Sequence, residues 1–156
     1  MAIFEKENKK VVAAAQKYIE AIVRALLEPP KVTPFTRNNR KLWPAAAGVY
    51  ALYRGRRIIW VGESGSLRKR ANDLYQTRNH SFRRVLGEKL FSKRLDFERA
   101  TTTKQFSPDI EAALTYFMEH RLSFVVAPVS IGRKEIEERA CAQSTGLFNV
   151  RKQRGT

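Results

Sequence analysis

The chain has 156 residues, with 30 Lys and Arg against 15 Asp and Glu and a formal net charge of +15. That length suits one domain closing a single hydrophobic core, and 43% apolar with 10% aromatic residues excludes a disordered tail protein. The lone Cys141 excludes a disulfide framework and a cysteine-based zinc cluster; no apolar stretch approaches the ~18–20 residues that span a bilayer, and Met1–Lys10 is mixed-charge rather than signal-like, so a cytoplasmic protein with no membrane partner is expected.

Val11, Ala15, Tyr18, Ile19, Ile22, Val23, Leu26 and Leu27 recur at helical spacing until Pro29-Pro30 ends the run, predicting an amphipathic helix over Asn8–Leu27. Lys31–Pro44 reads as a loop. Gly48–Tyr53 and Arg57–Gly62 read as two strands, with Arg54-Gly55-Arg56 as the hairpin turn between them. A helix with a serine cap follows, carrying Leu67, Ala71, Leu74 and Tyr75. Phe82, Val85, Leu86, Leu90 and Phe91 outline another helix, which Gly87 weakens, and Leu95–Arg99 suggests a short strand. Ser107-Pro108-Asp109 has the order of a helix start: a capping residue, proline at the first helical position, then an acid. Leu122–Val129 reads as an apolar strand and Arg133–Gln143 as a closing helix. The fold class expected is therefore α+β, a small mixed or antiparallel β-sheet flanked by helices with an extra N-terminal amphipathic helix. Residues 1–36 read as a helical extension and 37–156 as the main domain.

The positive charge is concentrated. Arg37–Arg94 holds fifteen basic residues against Glu63, Asp73 and Glu88, whereas Leu95–Val150 is slightly acidic. A basic block of this kind is the electrostatic footprint of a polyanion partner, and nucleic acid fits it better than a membrane surface or a simple solubility charge. Arg37, Arg40, Lys41, Arg54, Arg56, Arg57, Arg68, Lys69, Arg83 and Arg84 are the candidates for phosphate contacts, which give affinity and salt dependence rather than sequence choice.

The specific signal is a set of five elements in order. Gly48-Val49-Tyr50 opens the first strand, Trp60-Val61-Gly62 closes the second, Arg70 lies on the next helix, Glu137 near the start of the last helix, and Asn149 twelve residues further on. This set resembles the GIY-YIG nuclease superfamily, over about Gly48 to Val150 or roughly two thirds of the chain. Trp60 stands where the family usually has tyrosine, keeping an aromatic wall without the hydroxyl, and Gly146 replaces a proline often found before the final aromatic-Asn pair.

The resemblance implies a metal-dependent endonuclease acting on DNA, most naturally double-stranded, by a one-metal mechanism. Tyr50 would act as general base, Arg70 would hold the phosphate, Glu137 would be the single protein ligand of Mg2+ or Mn2+, and Asn149 would brace the site. Trp60 and His80 would shape the pocket; several family members place a histidine after the helix that carries the arginine. A lone carboxylate with waters suits magnesium, which seldom has an all-protein cage. Taken alone, Tyr50 reads as an ordinary strand aromatic packed in the core, and Glu135, Glu137 and Glu138 as acids serving a helix dipole. Arg70 sits on the flank of an apolar stripe, where an arginine either snorkels outward or lines a cleft. Two competing readings remain at this level: a catalytically weak or inactive DNA- or RNA-binding module on the same basic face, and an RNA-associated basic protein. A monomer with one site would nick one strand, so a homodimer is a further possibility.

Overall fold

Gly55 adopts φ +60° at the first position of a two-residue turn, and Arg54 pairs with Arg57 across it. A glycine there supplies the positive φ of a type II′ hairpin, whose twist matches that of the strands it joins. The hairpin links β2 (Gly48–Arg54) to β3 (Arg57–Ser64), and both bounds run slightly beyond those expected. The protein is described here by a computed structural model covering residues 1–148. The sheet is completed by β4 (Leu122–Pro128) and by the two-residue β1 (Thr33–Pro34), in the order β1-β4-β2-β3 with every neighbouring pair antiparallel. Only β1 was not anticipated: it lies in the segment read as loop.

β2 is central, and six of its seven residues are buried, because helices cover both faces of the sheet. Tyr50 and Leu52 face a core shared with α2 (Leu67–Asp73), α3 (Ser81–Phe91) and α4 (Pro108–Arg121). Val49, Ala51 and Tyr53 face the other layer, built from α1 (Ala2–Leu27) and α5 (Arg133–Gln143). A register shift opposite Leu52/Tyr53 inserts Ile59 as an extra residue in β3, so Ile59 and Trp60, adjacent in sequence, both enter the α2–α4 core.

Local chemistry accounts for most element ends. The Ser66 hydroxyl accepts from the Lys69 N–H at the start of α2, and the Ser107 hydroxyl from the Ile110 N–H at the start of α4. α1 begins at Ala2 rather than near Asn8, its first turns bearing Glu5–Lys9 and Glu7–Lys10 ion pairs. Its inner end buries Ile19, Val23 and Leu26, and the chain then leads through β1, which pairs with β4. Gly87 does not interrupt α3; a side chain there would collide with the Phe106 ring, so the glycine admits a close α3–loop contact.

The short strand expected at Leu95–Arg99 is absent. That segment is turn and extended loop, Leu95 is fully exposed, and Arg94 and Asp96 clasp one another through two hydrogen bonds instead of facing a neighbouring strand.

Candidate active site

The two tripeptides meet at one place. Tyr50 pairs opposite Gly62 in the β2–β3 ladder, and its ring lies directly over that glycine, so any Cβ at Gly62 would strike the phenol. At Gly48 a Cβ would strike the Ala127 carbonyl oxygen and lie 2.6 Å from Leu67 Cδ1. Both glycines are thus required by close approach: one lets Tyr50 lie flat across the edge strand β3, the other lets α2 close on β2.

His80 fixes the phenol from the other side. It is the N-cap of α3, its ring Nδ1 accepting the Phe82 N–H at 3.1 Å. A nitrogen that accepts carries no proton, so the neutral ring holds its hydrogen on Nε2, which donates to Tyr50 Oη at 2.9 Å. Burial drives the imidazole pKa down to about 3, and the nearby Arg70 and Arg84 charges add to the effect. His80 is therefore a permanently neutral donor to Tyr50. The turn before it is tied down by Arg84, whose Nη1 donates to the Thr77 and Arg78 carbonyls.

Trp60 walls the same space, its ring centroid 5.8 Å from that of His80 and 5.3 Å from Phe82. Its indole N–H is buried without a hydrogen-bond partner, yet lies near enough to favour the Tyr50 phenolate. Burial is the dominant influence on Tyr50 and raises its pKa far above the ordinary phenol value; Arg70 and Trp60 pull it down, while the Glu137 and Glu63 carboxylates push it further up.

Arg70 lies on α2 beside the buried Leu67 and Ala71, half-buried, with its Nε sealed from solvent and bonded to nothing. Its charge reaches both Tyr50 and His80, and it forms no ion pair among the described residues. A buried guanidinium nitrogen without an acceptor is costly, which makes this corner a ready receptor for an anionic oxygen.

Of the three acids on α5, Glu135 is exposed and paired with Arg139, Glu138 is exposed, and Glu137 is the one whose charge acts on Tyr50. Sequence reasoning missed Glu63, which follows Gly62 and also acts on Tyr50; it is one of only three acids in the basic block, and that isolation was the available signal. Asn149 lies outside the described residues; just before it, the Phe148 N–H donates to the Ile59 carbonyl on β3 at 2.8 Å.

Among the described residues no group of three or more His, Cys, Asp or Glu side chains could hold a metal ion. A hard cation at the Glu137 carboxylate would therefore need water and substrate oxygens to complete its shell.

The basic residues divide into two groups. Arg37 and Arg40 both lie over the Tyr75 ring, with guanidinium carbons 5.4 and 5.2 Å from its centroid, and Arg40 donates to Asn72 on α2. Lys41, Arg68 and Lys69 are exposed nearby, Arg68 anchored on the Trp43 carbonyl. Arg54, Arg56 and Arg57 instead crowd the hairpin turn at the far end of β2, Arg54 over the Phe117 ring. Arg83 departs from expectation. It is 1% exposed, ion-paired to Glu111 at 2.8 Å and donating also to Thr77, Thr115, the Glu111 carbonyl and Met118 Sδ. It joins α3 to α4 inside the core and cannot touch a phosphate.

No protein-family model, curated protein or solved structure matches the chain. Among the described residues no helix is long and apolar enough to cross a membrane.

Proposed function

We propose that this chain is a metal-dependent endonuclease that hydrolyses DNA phosphodiester bonds with one metal ion, as the resemblance to the GIY-YIG superfamily implies. The observation that carries the reading is the Arg70 guanidinium, its Nε buried and unbonded beside a phenol that is itself held by a neutral histidine. Such a donor is unsatisfied until an anion arrives, and a phosphodiester is the anion that the surrounding basic block attracts.

Arg70 receives the non-bridging oxygens of the scissile phosphate. Water attacks phosphorus, the bond to the 3′ oxygen breaks, and the products end in 5′-phosphate and 3′-hydroxyl. Tyr50, as phenolate, takes the proton of the attacking water; His80 Nε2–H and the Trp60 N–H steady the negative oxygen, and the aromatic walls keep bulk water away. Glu137 would hold Mg2+ or Mn2+, which when bound supplies Lewis-acid stabilisation of the phosphate and offsets the Glu137 charge that adds to the burial holding the phenol protonated. Asn149 is assigned the bracing role, and Arg37, Arg40, Lys41, Arg68 and Lys69 the flanking phosphates of a duplex. One site cuts one strand, so double-strand cleavage requires a homodimer or two encounters.

A supercoiled-plasmid assay with magnesium, with manganese and with chelator tests this, with Glu137→Ala and Arg70→Ala beside the native protein. Native protein should nick only with metal, and both variants should fold and fail to cut. Metal-independent nicking, or undiminished cutting by Glu137→Ala, overturns the mechanism. DNA binding that all three share, with no cleavage by any, replaces it with the binding-module reading.

A further inference from the structure

The hairpin between β2 and β3 carries Arg54, Arg56 and Arg57 around its turn, and the chemistry proposed above uses none of them. Arg54 and Arg57 stand directly opposite one another in the ladder, and like charges so placed destabilise an antiparallel pair. All three side chains are exposed, and among the described residues none of them has an ion pair. Arg121, also exposed, ends α4 just before Leu122, the β4 partner of Arg54, and so brings a fourth cation to the same end of the sheet. Glu28 shares a surface hollow with Arg56 and Lys31, which leaves two cations to one acid there. Sheet stability alone selects against such a turn.

The fold seats these charges rather than dispersing them. The Arg54 guanidinium lies over the Phe117 ring, 5.1 Å from its centroid, and an aromatic face holds a guanidinium without neutralising it. Arg57 packs against Gly146, where any Cβ would collide with its guanidinium. Side chains held before a partner arrives lose less entropy on binding it. The cluster is also separate from the catalytic corner. Arg54 is four residues along β2 from Tyr50, roughly 14 Å at the strand rise of ~3.4 Å per residue. That is about four phosphate spacings along one strand of DNA.

We infer that the hairpin arginines form a second DNA-binding site, an anchor that takes backbone phosphates of the substrate duplex away from the cut and contributes affinity without entering the chemistry. The inference rests on the DNA partner proposed above and not on the cleavage mechanism.

The test measures affinity for a fluorescent DNA duplex by anisotropy, in chelator, from 50 to 200 mM salt. The proteins compared are native, the triple variant Arg54→Gln/Arg56→Gln/Arg57→Gln, its Arg→Lys counterpart, and Lys6→Gln/Lys9→Gln/Lys10→Gln, which removes as much charge from the exposed start of α1. Each phosphate contact contributes about 0.9 to the slope of log affinity against log salt. The glutamine hairpin variant should therefore lose about 2.7 from that slope, so that over this salt range native affinity falls about 40-fold more than the variant's. The Arg→Lys variant, which keeps the charges, and the α1 variant should both stay near the native slope. Single-turnover nicking at saturating protein should be the same in all four. A native slope in the glutamine hairpin variant overturns the anchor, as does an equal loss in the α1 variant or an Arg→Lys variant as weak as the glutamine one. DNA binding unchanged by the glutamine substitutions, with binding to phosphatidylserine vesicles lost, overturns it in favour of a lipid surface. The expected slopes with no nicking even by the native protein uphold the anchor and overturn the nuclease reading instead.

Discussion

His80 makes the stability of this protein depend on acidity in a direction set by its surroundings. In the unfolded chain an imidazole titrates near 6.5, whereas in the folded protein burial, with Arg70 and Arg84, holds the value to about 3. Below pH 6.5 the unfolded chain therefore binds a proton that the folded protein refuses, so acidification favours unfolding. The contribution is complete above pH 6.5, falls by up to about 1.4 kcal/mol per pH unit below it, and levels off as pH approaches the folded value. From pH 6.5 to 5.0 the loss should reach about 1.6 kcal/mol, in a range above that in which most carboxylates titrate. Urea unfolding followed by circular dichroism at half-unit steps across this range measures it. His80→Asn is the decisive comparison, because an asparagine oxygen can still accept the Phe82 N–H at the cap of α3 but cannot titrate. This variant should begin less stable, having lost the bond to Tyr50, but its stability should be flat from pH 6.5 to 5.0. His120→Gln, at an exposed site stacked on Tyr116, should retain the native slope. A native protein whose stability is constant across the window, or a His80→Asn variant that keeps the slope, would refute the assignment of His80 as a buried neutral donor.

Three other perturbations follow from the packing around the site. Gly62→Ala should lower stability by about 1–3 kcal/mol, as overpacking does, and should abolish nicking by pushing the Tyr50 ring off β3; a variant with native stability in urea would mean the ring has room that the structure denies it. Arg83→Met removes one partner of a buried pair and strands Glu111 and Thr77, a loss of about 3–5 kcal/mol, whereas Arg84→Met should cost far less; equal unfolding midpoints for the two variants would contradict the burial of Arg83. Because burial holds the Tyr50 hydroxyl protonated, the single-turnover nicking rate with magnesium should rise with pH through neutrality, and Tyr50→Phe should be inactive at every pH. A flat native profile would remove Tyr50 from the role of base.

Much of this architecture is local and could be read along the chain. The hairpin follows from a glycine at a two-residue turn, α4 from Ser107-Pro108, and α5 has the bounds expected, because each depends on residues within a few positions of one another. The candidate site residues Tyr50, Trp60, Arg70 and His80 were likewise visible as a pattern, since two tripeptides, an arginine and a histidine fall at fixed intervals on adjoining elements. What the sequence could not decide is how charge and burial are distributed once those elements pack. Arg83 and Arg84 are neighbours in a basic run, yet helix geometry turns one into the core against Glu111 and leaves the other on the turn before His80. Leu95–Arg99 has strand-like residues but pairs with none of the described strands, and Arg94 and Asp96 clasp one another there instead. Three acids on α5 are equivalent by helix propensity, and Glu137 is distinguished only by the face that meets β3; Glu63, in the next layer, belongs to the same site through Tyr50 and Arg133. Short-range sterics and hydrogen bonding wrote the elements into the sequence, while which charges face one another depends on contacts between residues as far as 82 positions apart, as Arg37 and Glu119 are, and only the packed fold sets those.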